Sequence, residues 1–347
     1  MSEHLRLSTC SYYIKEESGD TLFYSSLTGK IIRVGRAYQS ELDTILTNKT
    51  SYNFSTLCGA LIDAKILVPT NFNEDEYIST LREKAINCDD TLDLTIFPSE
   101  ACNLRCKYCW ESFTKGNMSH DTETAIIRYL KKHIPAYKRL NIKWFGGEPL
   151  LNVSAIERIM DASIVLCREH GVILTASITT NGYLLTPEMV SKLMKHKIYE
   201  FQVTLDGLKQ YHDKMRVLCN GQGTFDKIID NLIQIKETIT NRLLRVLIRT
   251  NFSYENIASI DEYASFYMQT FGNDKRFSAY WNAVQDWGGD AVLNLTDKLI
   301  LNYDKTQVNL IAEKYNIPLV IESQLLAPGG YACYAGKKNS FIIGSDG

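Results

Sequence analysis

Cys102, Cys106 and Cys109 stand within eight residues, in the spacing C-x₃-C-x₂-C. Thiolates this close together ligate soft iron or zinc. A structural zinc site or an ordinary cubane takes four protein ligands, but this run stops at three and the next cysteine is Cys167. A cubane held by three thiolates keeps one iron open, and an open metal position is where a small molecule can coordinate and react. Two other readings fit the same residues. One is a zinc knuckle completed from a distance, for example by His120, and the other is three cysteines that merely share a turn.

The residues around the run narrow the choice. C-x₃-C-x₂-C with the aromatic Tyr108 just before the last cysteine resembles the radical SAM family. The resemblance implies a [4Fe–4S] cluster on the three cysteines and S-adenosylmethionine chelated at the open iron. It also implies a 5′-deoxyadenosyl radical as the reagent, with the protein supplying position and shielding.

Bulk properties set limits. A chain of 347 residues has room for two or three domains. Its 45% hydrophobic and 22% charged residues are ordinary for a globular protein, and a net charge of −2 gives no footprint for nucleic acid. No apolar run reaches the length of a membrane span, and Met1–Leu5 does not open a signal peptide. The expected setting is cytoplasmic, with no nucleic acid or membrane partner. Nine cysteines there point to metal or redox use rather than a disulfide framework.

The elements that must position the cysteines are legible from periodicity. Alternation and turn residues predict strands at Tyr12–Lys15, Thr21–Ser26 and Ile31–Val34. Helical spacing predicts three helices, over Arg36–Thr47, from Phe54 to Ile62, and over Glu74–Ile86. This layout over residues 1–88 resembles the small winged-helix-like α+β domain that recognises leader peptides in ribosomal-peptide maturation enzymes. An edge such as Lys30–Val34 could accept an extended peptide; the bland alternative is a structural cap.

From residue 89 to 320 apolar strands alternate with amphipathic helices. The strands are Leu92–Phe97, Asn141–Phe145, Ile173–Thr179, Glu200–Leu205, Arg245–Thr250 and Phe277–Ala283. The helices are Asp121–His133, Val153–Glu169, Pro187–Lys197, Phe225–Thr240, Glu255–Thr270 and Tyr303–Tyr315, with Ser119, Asn152, Thr186 and Thr224 as N-caps. Six such units predict an α/β fold, a partial (β/α)₆ TIM-like barrel, which matches the core that the resemblance implies.

Reactive residues of such barrels gather where strands end. The second strand ends in Gly146-Gly147-Glu148-Pro149, similar to the family motif that holds the methionine ammonium. Thr180-Asn181 ends the third strand, and Thr204 with Asp206 ends the fourth. In the family, residues in these loops reach the cofactor's ribose and carboxylate; the family more often has serine where Thr204 stands. Arg216 and Arg249 are candidates for the methionine carboxylate, against the alternative of surface salt bridges, and Tyr108 is expected near adenine. Asp286, after the sixth strand, is the one candidate base, against the alternative of a loop cap.

Near the C-terminus, Cys333, Gly336 and the closing Ser345-Asp346-Gly347 resemble the opening of a SPASM extension over residues 321–347, which carries auxiliary [4Fe–4S] clusters in that subclass. The ending reads as a break inside that extension, with Cys333 as its first ligand. Cys10, Cys58, Cys88, Cys167 and Cys219 have no ligand spacing and are expected to be structural. The expected activity is maturation of a ribosomally made precursor peptide, by a thioether or other cross-link. Its expected partners are the precursor with its leader and an external electron donor such as flavodoxin or ferredoxin. A sulfatase-maturing relative and a non-catalytic zinc-holding peptide scaffold are the alternatives. About ninety residues before the cysteines count against the former.

Overall fold

The computed structural model describes residues 4–47, 55–286, 305–320 and 333–347. They divide into two compact units, with the first boundary between Cys88 and Asp89 and with Asn339–Gly347 belonging to the second unit.

In the first unit, strands β1 (Leu5–Leu7), β2 (Ser11–Lys15), β3 (Thr21–Ser25) and β4 (Ile31–Val34) precede helices α1 (Gln39–Thr47) and α2 (Thr56–Asp63). Strand β5 (Leu67–Pro69) and helix α3 (Glu74–Ile86) follow. Strands β2, β3 and β4 form an antiparallel sheet, while β1 pairs with β5. Phe23, Val34, Leu42, Leu61 and Ile66 make the core. Neither β1 nor β5 is among the expected strands: three residues are too few for alternation to show. Phe54, expected to open the second helix, lies outside the described residues.

The second unit is built on β6 (Thr91–Ser99), β7 (Leu104–Cys106), α4 (His120–His133), β8 (Arg139–Gly146), α5 (Val153–His170), β9 (Ile173–Thr180), α6 (Pro187–Lys195) and β10 (Glu200–Thr204). It continues with α7 (Lys209–Met215), β11 (Arg216–Leu218), α8 (Phe225–Thr238), β12 (Arg245–Phe252), α9 (Ile260–Phe271), β13 (Phe277–Ala283), a helix over Lys305–Lys314 and β14 (Ser340–Ile343). The main sheet is a seven-stranded parallel array in the order β13-β12-β10-β9-β8-β6-β14. The six expected strands are all present, which makes the unit the α/β, partial TIM-like barrel that the spacing predicts. The seventh strand, β14, is added beside β6.

Alternation along the strands gives the sheet two unlike faces. One carries Leu94, Ile142, Ile178, Val203 and Ile248, all buried in the main core. The other carries Thr95, Lys143, Thr179, Gln202 and Arg249, none of them buried. A closed eight-stranded barrel fills its interior with branched side chains; this sheet keeps a polar face.

Two expected N-caps do other work. Ser119 and Thr186 cap through their hydroxyls, but the Asn152 amide donates to Pro98 O and Met118 O. The Thr224 hydroxyl donates to Arg216 O. No helix among the described residues is long and apolar enough to cross a membrane.

Candidate functional site

The three cysteines sit in the loop that leaves the C-terminal end of β6. Its stems are tied together: Ser99 and Asn117 form an antiparallel bridge, and Glu100 N donates to Gly116 O at 3.0 Å. Inside the loop, β7 pairs with β11, placing Cys106 opposite Arg216 and Leu104 opposite Leu218. Alternation turns Leu104, half-buried Cys106 and buried Arg216 to one side, and leaves Arg105 and Lys107 exposed on the other.

The GGEP turn straps this loop from beside it. Gly147 N donates to Ser99 O and Glu148 N to Ala101 O, at 3.1 and 2.9 Å. Gly146 has a φ of +117°, and a Cβ there would stand 2.4 Å from Ser99 O; one on Gly147 would stand 2.5 Å from Ala101 O. The glycines are needed because two backbones touch.

Glu148 is fully buried. Its carboxylate accepts from Leu150 N, the Thr180 hydroxyl and Asn181 N, at 3.0, 2.7 and 2.8 Å. Burial pushes its pKa up against those donors. Here the side chain joins the ends of β8 and β9. The Asn181 amide reaches Asn103 Oδ1 at 2.8 Å and so joins β9 to the cysteine loop.

A second buried network closes the other side. Tyr108 Oη donates to Asp206 Oδ2, Arg216 Nη1 donates to Tyr108 Oη at 2.8 Å, and Asn251 gives its N and Nδ2 to Asp206 Oδ1, both at 3.1 Å. Burial raises the Asp206 and Tyr108 pKa values. Burial works against the Arg216 charge too, but Cys106, Tyr108 and Asp206 beside it hold its pKa well above the usual value. The alternative reading of Arg216 as a surface salt bridge does not fit its place: it is 6% exposed. Asp206 and Tyr108 are partners of each other in this network, and the Tyr108 ring packs on Val284 after β13. Asn251, Asn103 and Val284 belong to the site but carry no sequence motif; only the strand-end position of Asn251 and Val284 could have flagged them.

Other expected residues are spread more widely. Thr204 and Thr180 are buried at their strand ends. Arg249 Nε donates to Asn251 Oδ1 at 3.0 Å, with its guanidinium 5.8 Å from the centroid of the Tyr280 ring. Asp286 is exposed just past β13. Cys333 is exposed, and the neighbouring 321–332 lie outside the described residues. Cys219, expected to be merely structural, is exposed and lies against the cysteine loop, with its thiol donating to Cys102 O at 3.5 Å.

Do these residues fit an iron–sulfur cluster? Burial pushes the Cys102 and Cys106 thiols up to about 11 and raises Cys109 as well. Each of the three feels the field of another, and all feel Arg216. Arg216 Nε is buried with no hydrogen-bond partner, as is Glu111 Oε1. Three soft donors, a fixed cation and an orphaned N–H are a donor set suited to an anionic thiolate–metal group. Among the described residues no three His, Cys, Asp or Glu side chains converge as they would on a single metal ion.

Comparison with known proteins agrees with this geometry. Residues 96–267 match the family model of the Radical SAM superfamily. The chain is 26% identical over 293 residues to the radical SAM cyclopropyl synthase TigE of Paramaledivibacter caminithermalis, covering 75% of this chain and 61% of that one. It is 28% identical over 151 residues to a cysteine-type anaerobic sulfatase-maturating enzyme of Clostridium novyi, covering 41% and 40%. The match therefore spans less than two thirds of either relative. Among solved structures, native anSMEcpe with bound AdoMet and Cp18Cys peptide superposes with a TM-score of 0.57 at 20% identity, over 74% of this chain and 72% of that one. That likeness is one of fold.

Proposed function

From the match of residues 96–267 to the family model of the Radical SAM superfamily, we propose that this chain is a radical SAM peptide maturase acting on a ribosomally made precursor. The family implies a [4Fe–4S] cluster and S-adenosylmethionine. The carrying observation is the placement of Cys102, Cys106 and Cys109 in one strapped loop beside buried, partly unpaired Arg216. Those three cysteines would hold the cluster. When bound, cluster and cofactor together supply a 5′-deoxyadenosyl radical that takes hydrogen from an unactivated carbon.

The protein's own residues do the rest. The Gly146–Glu148 strap fixes the stem of the cysteine loop, so the thiols are presented without a search over loop conformations. Arg216 offsets the negative charge of thiolates and suits the methionine carboxylate. Asp206 and Asn251 anchor Tyr108, whose ring and Val284 give an apolar wall for adenine. The polar face that carries Lys143, Gln202 and Arg249, none of them buried, is where a peptide would lie. Asp286, exposed just past β13, would be the base that takes a proton from substrate.

A thioether or other cross-link is the product we favour, with the first unit holding the leader so that the core peptide is delivered at high effective concentration. Cys333 would be the first ligand of an auxiliary cluster, and an external one-electron donor is required. Likeness to the sulfatase-maturating enzyme keeps a second product in view, formylglycine made from cysteine or serine.

Anaerobic incubation with S-adenosylmethionine and a reductant tests the reading. Release of 5′-deoxyadenosine is expected, with Cys106→Ala folded and unable to release it. Release that survives Cys106→Ala overturns the ligand assignment. A mass change on the precursor separates cross-linking from formylglycine formation.

A further inference from the structure

A short turn near the C-terminus grips both stems of the cysteine loop. Glu100 lies on the incoming stem, two residues before Cys102, and Lys115 lies on the outgoing one. Strand β14 runs parallel to β6 and delivers the turn to this place. There Ser345 donates twice to Glu100 Oε2, from its backbone N at 2.8 Å and from its hydroxyl at 2.5 Å. Lys115 Nζ donates to Asp346 Oδ1 at 2.9 Å. Gly344 is packed into the same corner: a Cβ there would meet Asp346 Oδ1 at 2.9 Å and Glu100 Oε2 at 3.5 Å.

The two halves of this grip are unequal. Ser345 is 5% exposed and puts two donors on one carboxylate oxygen. Hydrogen bonds to a charged acceptor are the stronger kind. The Lys115 and Asp346 side chains are about half exposed, and ion pairs of that sort contribute little.

We infer that Ser345 is a positioning residue of the radical site. It holds Glu100, Glu100 holds the incoming stem, and the stem sets where Cys102 and its neighbours stand before any cluster arrives. This rests on the cysteine loop being the cluster loop. It adds that the loop is shaped from three sides: the GGEP strap, β11, and the turn after β14.

The test is Ser345→Ala in the full chain, with Glu100→Gln as a second variant that keeps size and removes charge. Amide hydrogen exchange of the cluster-free chain is read first. Exchange over residues 100–109 should rise about tenfold in Ser345→Ala, with β8, β9 and β10 unchanged. Anaerobic iron uptake should slow in parallel. Ser345→Thr, which keeps the hydroxyl, should restore both, and Lys115→Met should alter neither. Exchange equal to wild type, or raised evenly over the whole unit, overturns the inference. If the wild type takes up no cluster, the functional reading fails, while the exchange result still decides whether the grip shapes the loop.

Discussion

Gly147 is the residue at which sequence and site meet most tightly. Its absent Cβ would lie 2.5 and 2.6 Å from the carbonyl oxygens of Ala101 and Glu100. Neither is the end of a flexible side chain, so the loop itself must move. Gly147→Ala should therefore cost about 2 kcal/mol or more, as overpacking does, and should impair iron uptake because the displaced atoms adjoin Cys102. Gly59, in α2, is the control: nothing lies within 4 Å of an added Cβ, and Gly59→Ala should stabilise by up to about 1 kcal/mol. Urea unfolding of both variants checks this; equal effects would contradict the close-approach account. The motif residues were legible as a set, but their division of labour was not. Glu148 and Asp206 read as cofactor contacts in the sequence, and in the fold each carboxylate also accepts three hydrogen bonds from protein donors. Sequence spacing tells which residues meet, not which of their atoms remain to be used.

The six barrel strands and most helices were legible because apolar period and helix-start residues agree there, as at Ser119 and Pro187. The elements that sequence reasoning missed are short or paired over long distance. β7 and β11 have three residues each and meet across more than a hundred positions. β14 joins β6 from near the other end of the chain. No local signal marks such pairings. One element pair carries a pH dependence. Glu123 in α4 accepts two hydrogen bonds from Arg158 in α5, at 2.5 and 2.7 Å. Arg158, and to a lesser degree His120, hold its pKa below the usual value despite its burial. A lowered folded pKa contributes stability that is present above the ordinary carboxylate range of about 4.3. That stability is lost as pH falls through the folded value. Arg158 is about half exposed, so the effect is modest. Arg158→Met should lower the melting temperature near neutral pH by a few degrees at most. The gap from wild type should narrow as pH falls below the ordinary carboxylate range and the carboxylate takes up its proton in both. A gap that widens on acidification would contradict the assignment.

For the whole molecule, the proposed division is a first unit that holds a leader and a second that carries the chemistry. β2 is an edge strand with Tyr12, Tyr13 and Ile14 exposed, and exposed apolar edges of this kind favour strand addition. A precursor lacking its leader should be modified at least about tenfold more slowly at equal concentration, since the effective concentration is lost. Equal rates with and without the leader would remove the recognition role and leave the first unit a cap. The layout of that unit was legible as strands then helices, but nothing in the sequence says what it binds.

The central claim is that three thiolates in one strapped loop hold a redox-active cluster. Iron and acid-labile sulfide, measured on protein purified and reconstituted without oxygen, test it most directly. The account predicts at least about four of each per chain, with about four of each lost when Cys102, Cys106 and Cys109 are replaced together. A chain that retains zinc alone, takes up no sulfide and still modifies its substrate in air would contradict it.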